Sequence, residues 1–181
     1  SARSMLGLAA YVKDDELTPD GSGKLFAVLR EFLARANSIP CDGFFAFATA
    51  SLRGLSNSEA ILRTVKEKLG IGIEIISGET ETLYDFTAIR HRFPDAVRGT
   101  LLDLGGGSTE IAVFEGDRIL ASESLSIGCV RLMKYFTDVT KRDPFPSPEE
   151  LKEIRKYVRE TISACPKFRK VGGEAYFIGG T

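Results

Sequence analysis

Residues 103–110 read Asp-Leu-Gly-Gly-Gly-Ser-Thr-Glu, an acid, a run of glycines, two hydroxyls and a second acid. Thr100-Leu101-Leu102 leads in and Ile111-Ala112-Val113-Phe114 leads out. This is the pattern of strand, glycine turn, strand. Successive backbone N–H groups in such a turn make a concave anion site. Glycine suits it because it has no side chain to hold the ligand away. An acid beside a phosphate cradle serves a magnesium ion, or a water that it orders. A triple glycine alone also fits a plain hairpin turn. The flanking acids and hydroxyls favour the phosphate reading.

Two further segments carry similar chemistry. Ile73-Glu74-Ile75-Ile76-Ser77-Gly78-Glu79-Thr80-Glu81 puts carboxylates just past a strand end, in the first turn of a helix. Ligands of open α/β sheets sit outside such strand ends. Glu79 and Glu81 point to different sides of a helix, so one of them faces a cleft easily. On spacing alone, both could simply complement the helix dipole. Ala48-Thr49-Ala50-Ser51-Leu52-Arg53 is a hydroxyl-rich strand end followed by arginine, whose planar fork matches phosphate. A hydroxyl capping turn explains that segment equally well.

The elements that must position these residues follow from periodicity and caps. Thr18-Pro19 opens a helix to about Asn37, with Leu25, Val28, Leu29, Phe32 and Ala36 at helical spacing. Gly43–Thr49 reads as a buried strand in which Phe44, Phe45 and Phe47 are core. Ser56 with Glu59 forms a capping box for a helix that Gly70 ends. Ile71–Ile76 is a strand. Ser77 starts a helix through Leu83, Phe86, Ile89 and Arg90 that stops before Pro94. A hairpin pairs 101–103 with 110–114, and 118–122 adds a strand, with 124–128 a connection. A short helix at Cys129–Phe136 and a loop at Pro144 and Pro146 follow. Ser147-Pro148-Glu149-Glu150 opens another helix, and Ala175–Ile178 is a final strand. The order is that of an α/β protein. The polar segment 93–99 marks a boundary between two lobes.

The chain has 181 residues, 43% hydrophobic and 27% charged, with a net charge of −1. These values fit a soluble globular protein. No stretch reaches the roughly 20 apolar residues of a membrane span, and no signal peptide is visible. Cys41, Cys129 and Cys165 are scattered and odd in number, which fits a reducing compartment, the cytoplasm. No Cys/His cluster suits structural zinc. A polyanionic ligand would need local cations, amides and metal, since no global basic field exists. Protein–DNA binding is not expected, because the aromatic strand lacks basic interleaving.

Taken together, these segments resemble the exopolyphosphatase/guanosine pentaphosphate phosphohydrolase family. The resemblance rests on 48–53 with Asn57, on 75–81, on 103–110, on Gly128-Cys129-Val130-Arg131-Leu132 and on Gly179-Gly180-Thr181. It runs from about Leu6 to Thr181, and the joint occurrence of five motifs in order makes it specific.

The resemblance implies an actin-like (ribonuclease H-like) two-lobed ATPase fold, with mixed sheets flanked by helices. Residues 1–93 would form most of the first lobe and 99–181 the start of the second, incomplete at both ends. It implies that Glu81 orders and deprotonates an attacking water. Asp103 and Glu110 match acids near the metal and the water. Gly105, Gly106, Gly107, Ser108 and Thr109 match a phosphate loop, Arg53 an arginine that touches phosphate, and Gly179, Gly180 and Thr181 a later loop. Magnesium would assist, and Glu81 would meet the 105–109 loop on closure of a cleft between lobes. The substrate would be polyphosphate or guanosine pentaphosphate.

The family's opening Asp-x-Gly-Ser-Asn loop has no counterpart here, Thr80 stands where many members carry glutamate, and Thr82-Leu83 replaces a frequent Ala-Arg pair. An actin-like ATPase or kinase and a non-catalytic phosphate-binding module remain alternatives, and a homodimer is left open. His91 reads as surface, Cys129 as a packing residue, and Arg131 and Lys134 as guides for a polyanion.

Overall fold

The computed structural model describes residues 4, 6–137, 145–168 and 173–179. The chain divides into two compact units, residues 1–76 and 77–181. This is a different division from the lobe boundary read at 93–99.

In the first unit, a short antiparallel pair, β1 (Val12–Lys13) and β2 (Glu16–Leu17), precedes helix α1 (Pro19–Asn37). Thr18 caps α1 by accepting from the Gly21 N–H, with Pro19 in the first turn. Strand β3 (Ala46–Ala48) leads to α2 (Ser58–Leu69) and then to β4 (Ile73–Ile75), which pairs parallel with β3. The core gathers Leu8, Leu17, Leu25, Leu52, Ile61, Val65 and Ile71.

Two expectations fail in this unit. Phe44, Phe45 and Phe47 are exposed, Phe45 at 91%. Strand β3 begins only at Ala46, and Ala46 and Ala48 supply the face that packs on the core, which leaves Phe45 and Phe47 on the opposite face. Helix α2 starts at Ser58 rather than Ser56, without a side-chain cap. Ser56 instead donates to the Asp15 carbonyl. Asn57 is drawn into a reciprocal clasp, accepting from Leu17 N–H at 3.0 Å and donating to Leu17 C=O at 2.9 Å.

The second unit opens with α3 (Gly78–Arg92), capped by Ser77 Oγ accepting from Thr80 N–H at 3.0 Å. A four-stranded sheet follows from β5 (Arg98–Leu104), β6 (Thr109–Glu115), β7 (Arg118–Leu125) and β8 (Glu174–Gly179), in the order β7-β6-β5-β8. The β5–β6 and β6–β7 pairs are antiparallel and β5–β8 is parallel. Strand β7 is longer than its sequence implies, because Ser124 pairs opposite Glu110 inside the sheet.

Side chains alternate between the faces of a strand. On one face Leu101, Ala112, Phe114 and Tyr176 pack against Phe86 and Ile89 of α3. Leu83 is 51% exposed. On the other face Ile111, Leu125 and Ile127 meet Leu132 of α4 (Cys129–Phe136) and Tyr157 and Val158 of α5 (Pro148–Ser163). A full capping box at Ser147 and Glu150 starts α5, as the sequence indicates. No helix among the described residues is long and apolar enough to cross a membrane.

Candidate active site

The α3-facing side of the sheet ends in a polar row. Asp103 pairs with Glu110, Glu110 with Ser124, and Asp103 with Ile178, so one register line crosses all four strands. Alternation puts Asp103 on the same face as Leu101, and Glu110 on the same face as Ala112 and Phe114. The acids therefore extend the apolar rows by one step toward the glycine loop. Helix α3 supplies Glu81 from the turn after its cap. Residues four apart share a helix face, which sets Glu81, Asp85 and Ile89 in one stripe, and Ile89 is buried against the sheet.

The result is a carboxylate cluster. Ligand oxygens of Glu81, Asp103 and Glu110 all lie within 4.8 Å of one another. Helix α3 packs on the sheet that carries the other two acids, so the three meet within one unit. Glu110 is 1% exposed, and its Oε1 accepts from Ser108 Oγ at 2.8 Å and Ser124 Oγ at 2.6 Å. Burial, with Glu110 opposite, raises the Asp103 carboxyl above the usual range. Burial also pushes Asp85 up to about 7, and Asp103, Glu81 and Glu110 push the same way. Asp85 Oδ2 and Thr82 Oγ1 are buried and have no hydrogen-bond partner among the described residues. A cavity of about 180 Å³ opens beside Thr82 and Ser124, with Lys167 on its wall. Lys167 Nζ donates to Glu123 Oε2 at 2.9 Å.

The glycine loop closes the β5–β6 hairpin. Gly105 N–H donates to Ser108 C=O at 3.0 Å. The loop's carbonyls turn toward the start of α4. Cys129 N–H donates to Gly105 C=O, and Val130 and Arg131 N–H both donate to Gly106 C=O. Arg131 Nε donates to Gly107 C=O at 3.0 Å, so this arginine props the loop. A Cβ added to Gly128 would fall on the Gly106 carbonyl, well inside van der Waals contact. Only glycine allows this approach. Cys129 is exposed and does not pack, contrary to expectation, because its helix presents that position outward.

The remaining expected residues divide. Ser108 and Thr109 are buried, and both hydroxyls serve the protein. Ser108 donates to Glu110, and Thr109 Oγ1 to the Ile127 carbonyl. Gly179 ends β8 at φ +82°, where an added Cβ would meet Asp103 Oδ1 at 2.5 Å, so it borders the cluster. Gly180 and Thr181 lie outside the described residues. Arg53 belongs to the first unit, in the turn after β3, with its N–H donating to Thr49 C=O. His91 is exposed, as expected.

Asp85, Thr82 and Ser124 escaped the sequence reading. The only available signal for Asp85 was its spacing of four from Glu81. Ser124 shows its role only through strand register.

Comparison with known proteins extends these observations. The structure of an exopolyphosphatase-like protein matches with a TM-score of 0.80 at 26% identity, over 97% of this chain and 55% of that one. The Aquifex aeolicus member of the Ppx/GppA family matches with a TM-score of 0.68 at 28% identity, again over 97% and 55%. An exopolyphosphatase from Cytophaga hutchinsonii, 21% identical, shares the fold with a TM-score of 0.77 over 92% of this chain and 52% of that one. The chain thus spans about half the length of these proteins, and the α/β fold it shares with them is the actin-like one expected. The Ppx/GppA phosphatase family matches residues 2–181. The chain belongs to the Ppx/GppA phosphatase family.

Proposed function

We propose that this chain carries the water-activating half of a phosphohydrolase that releases terminal phosphate from inorganic polyphosphate. The observation that carries the reading is the convergence of Glu81, Asp103 and Glu110 within 4.8 Å beside a glycine loop, in a chain of this family. Guanosine pentaphosphate, attacked at its 5′ terminal phosphate, is the second substrate the family name admits.

The carboxylates fit a hard divalent cation. Magnesium takes oxygen ligands and retains several waters, and one or two carboxylates usually suffice to hold it. Here Asp103 and Glu110 would hold it, with Glu81 beside them. Burial already works against the Asp103 charge, and a cation would relieve it. When bound, the ion supplies charge neutralisation at the phosphoryl oxygens.

The chain's own residues do the rest. Glu81 accepts a proton from water as the water oxygen attacks the terminal phosphorus in line. The bond from phosphorus to the bridging oxygen breaks, and the shortened chain leaves with the electron pair. Phosphoryl transfer depends mainly on positioning and on charge stabilisation. Ser108 and Ser124 fix Glu110 by donating to one of its oxygens. Their protons are thereby committed, and the Gly105 N–H is committed to Ser108 C=O, so phosphate contact passes from the loop hydroxyls to the backbone N–H groups of Gly106 and Gly107, with Gly105 shaping the turn. Thr109 is similarly committed to Ile127. Arg53, Gly179, Gly180 and Thr181 are carried as further phosphate contacts of the complete protein.

Phosphate release by the full-length protein from long-chain polyphosphate and from guanosine pentaphosphate tests this reading. Release with magnesium, abolished by a chelator, is expected. ATP turnover with no release from either substrate would instead assign the chain to the actin-like ATPases or kinases.

A further inference from the structure

Asp85 lies one helical turn beyond Glu81, on the same face of α3. It stands outside the three-residue group whose oxygens lie within 4.8 Å of one another. Its Oδ2 is buried without a donor. Thr82, three residues before it and 1% exposed, has an equally buried Oγ1 without a partner. A buried polar atom left unpaired is destabilising. Two such atoms within a turn of a carboxylate cluster are unexplained by packing. Among the described residues neither atom has a partner, and the waters of a hydrated cation would supply one. Magnesium keeps several of its waters when bound by protein. Each water has two O–H bonds, and those not directed at substrate need acceptors.

We propose that Asp85 is a positioning residue for the site, with Oδ2 accepting hydrogen bonds from waters coordinated to a divalent cation held by Asp103 and Glu110 beside Glu81. Thr82 Oγ1 serves the same shell from one residue past Glu81. The inference rests on the reading of the cluster as a cation site. It assigns a role to a helix position that the sequence motifs pass over. Partners that orient the first ligands of a metal typically govern affinity by about 10–100-fold. Asp85 therefore tightens magnesium binding without being one of the inner carboxylates.

Calorimetric titration of the full-length protein with magnesium chloride tests it. Asp85→Asn preserves shape and Asp85→Ala removes the group, with Asp103→Asn as the comparison. Asp85→Asn and Asp85→Ala should each bind magnesium about 10-fold or more weakly. Their melting temperatures in chelator should equal or exceed the wild-type value, because a repulsive carboxylate has gone. A merely structural Asp85 would move that melting temperature downward and leave the affinity alone. Wild-type affinity in both Asp85 variants, alongside weakened binding in Asp103→Asn, overturns the role of Asp85 and spares the cation site. A wild-type protein that takes up no magnesium overturns both.

Discussion

Asp85 and Asp103 titrate above the ordinary carboxylate range because burial and neighbouring acids both oppose their charge. A group whose folded pKa exceeds its unfolded value binds more protons in the native state across the interval between the two. Stability then falls as pH rises through that interval. For Asp85 the interval runs from 3.8 to about 7. The chelated protein should therefore melt at a lower temperature at pH 8 than at pH 5. Magnesium should restore more of the loss at pH 8 than at pH 5, where a proton already occupies Asp85. Melting curves across this range check it, and a pH-independent midpoint in chelator would contradict the repulsion. Among single residues, Glu81, Asp103 and Glu110 drew notice because they sit inside dense motifs, and the fold brings their oxygens together. Asp85 was not, since an isolated acid on an amphipathic helix reads as a solvated face.

The element that most constrains the site is the β5–β6 glycine loop with the α4 start that takes its carbonyls. Gly128→Ala must displace the Gly106 carbonyl, and the strain should cost about 1–3 kcal/mol, as overpacked sites do. Chemical denaturation measures it, and phosphate release should fall with it because the loop shifts. Ser147→Ala offers a contrast at the far side of the sheet. It removes the capping box of α5 and should cost about 1 kcal/mol while leaving activity per folded molecule unchanged. Both caps written as Thr18-Pro19 and Ser147-Pro148 were readable, since the chemistry is local. The start of α2 was misread because Asn57 spends its side chain on Leu17, forty positions away. The phenylalanines at 44–47 were misread for a related reason. An apolar strand implies a layer on each side, and the first unit's sheet offers Ala46 and Ala48 to its core instead. Phe45→Ser should accordingly change stability by no more than about 0.5 kcal/mol, since exposed positions away from special features rarely do more.

For the whole molecule, the α/β fold and the family were both open to reading, because motif order survives where individual residues vary. The match over residues 2–181 and the structural likeness agree with that order. Register was not legible. That Asp103, Glu110 and Ser124 form one line across the sheet depends on pairings between segments that share no sequence signal. The loop hydroxyls show the same limit. Their types fit phosphate, yet the fold turns Ser108 onto Glu110 and Thr109 onto Ile127.

The central claim is that Glu81 activates the attacking water. It is tested most directly by phosphate release from polyphosphate by the full-length protein and its Glu81→Gln variant, at saturating magnesium and substrate. The account predicts that kcat falls by about 10²–10⁴-fold, the usual contribution of a positioned general base, with polyphosphate still bound. Turnover at the wild-type rate by a folded Glu81→Gln protein would contradict it.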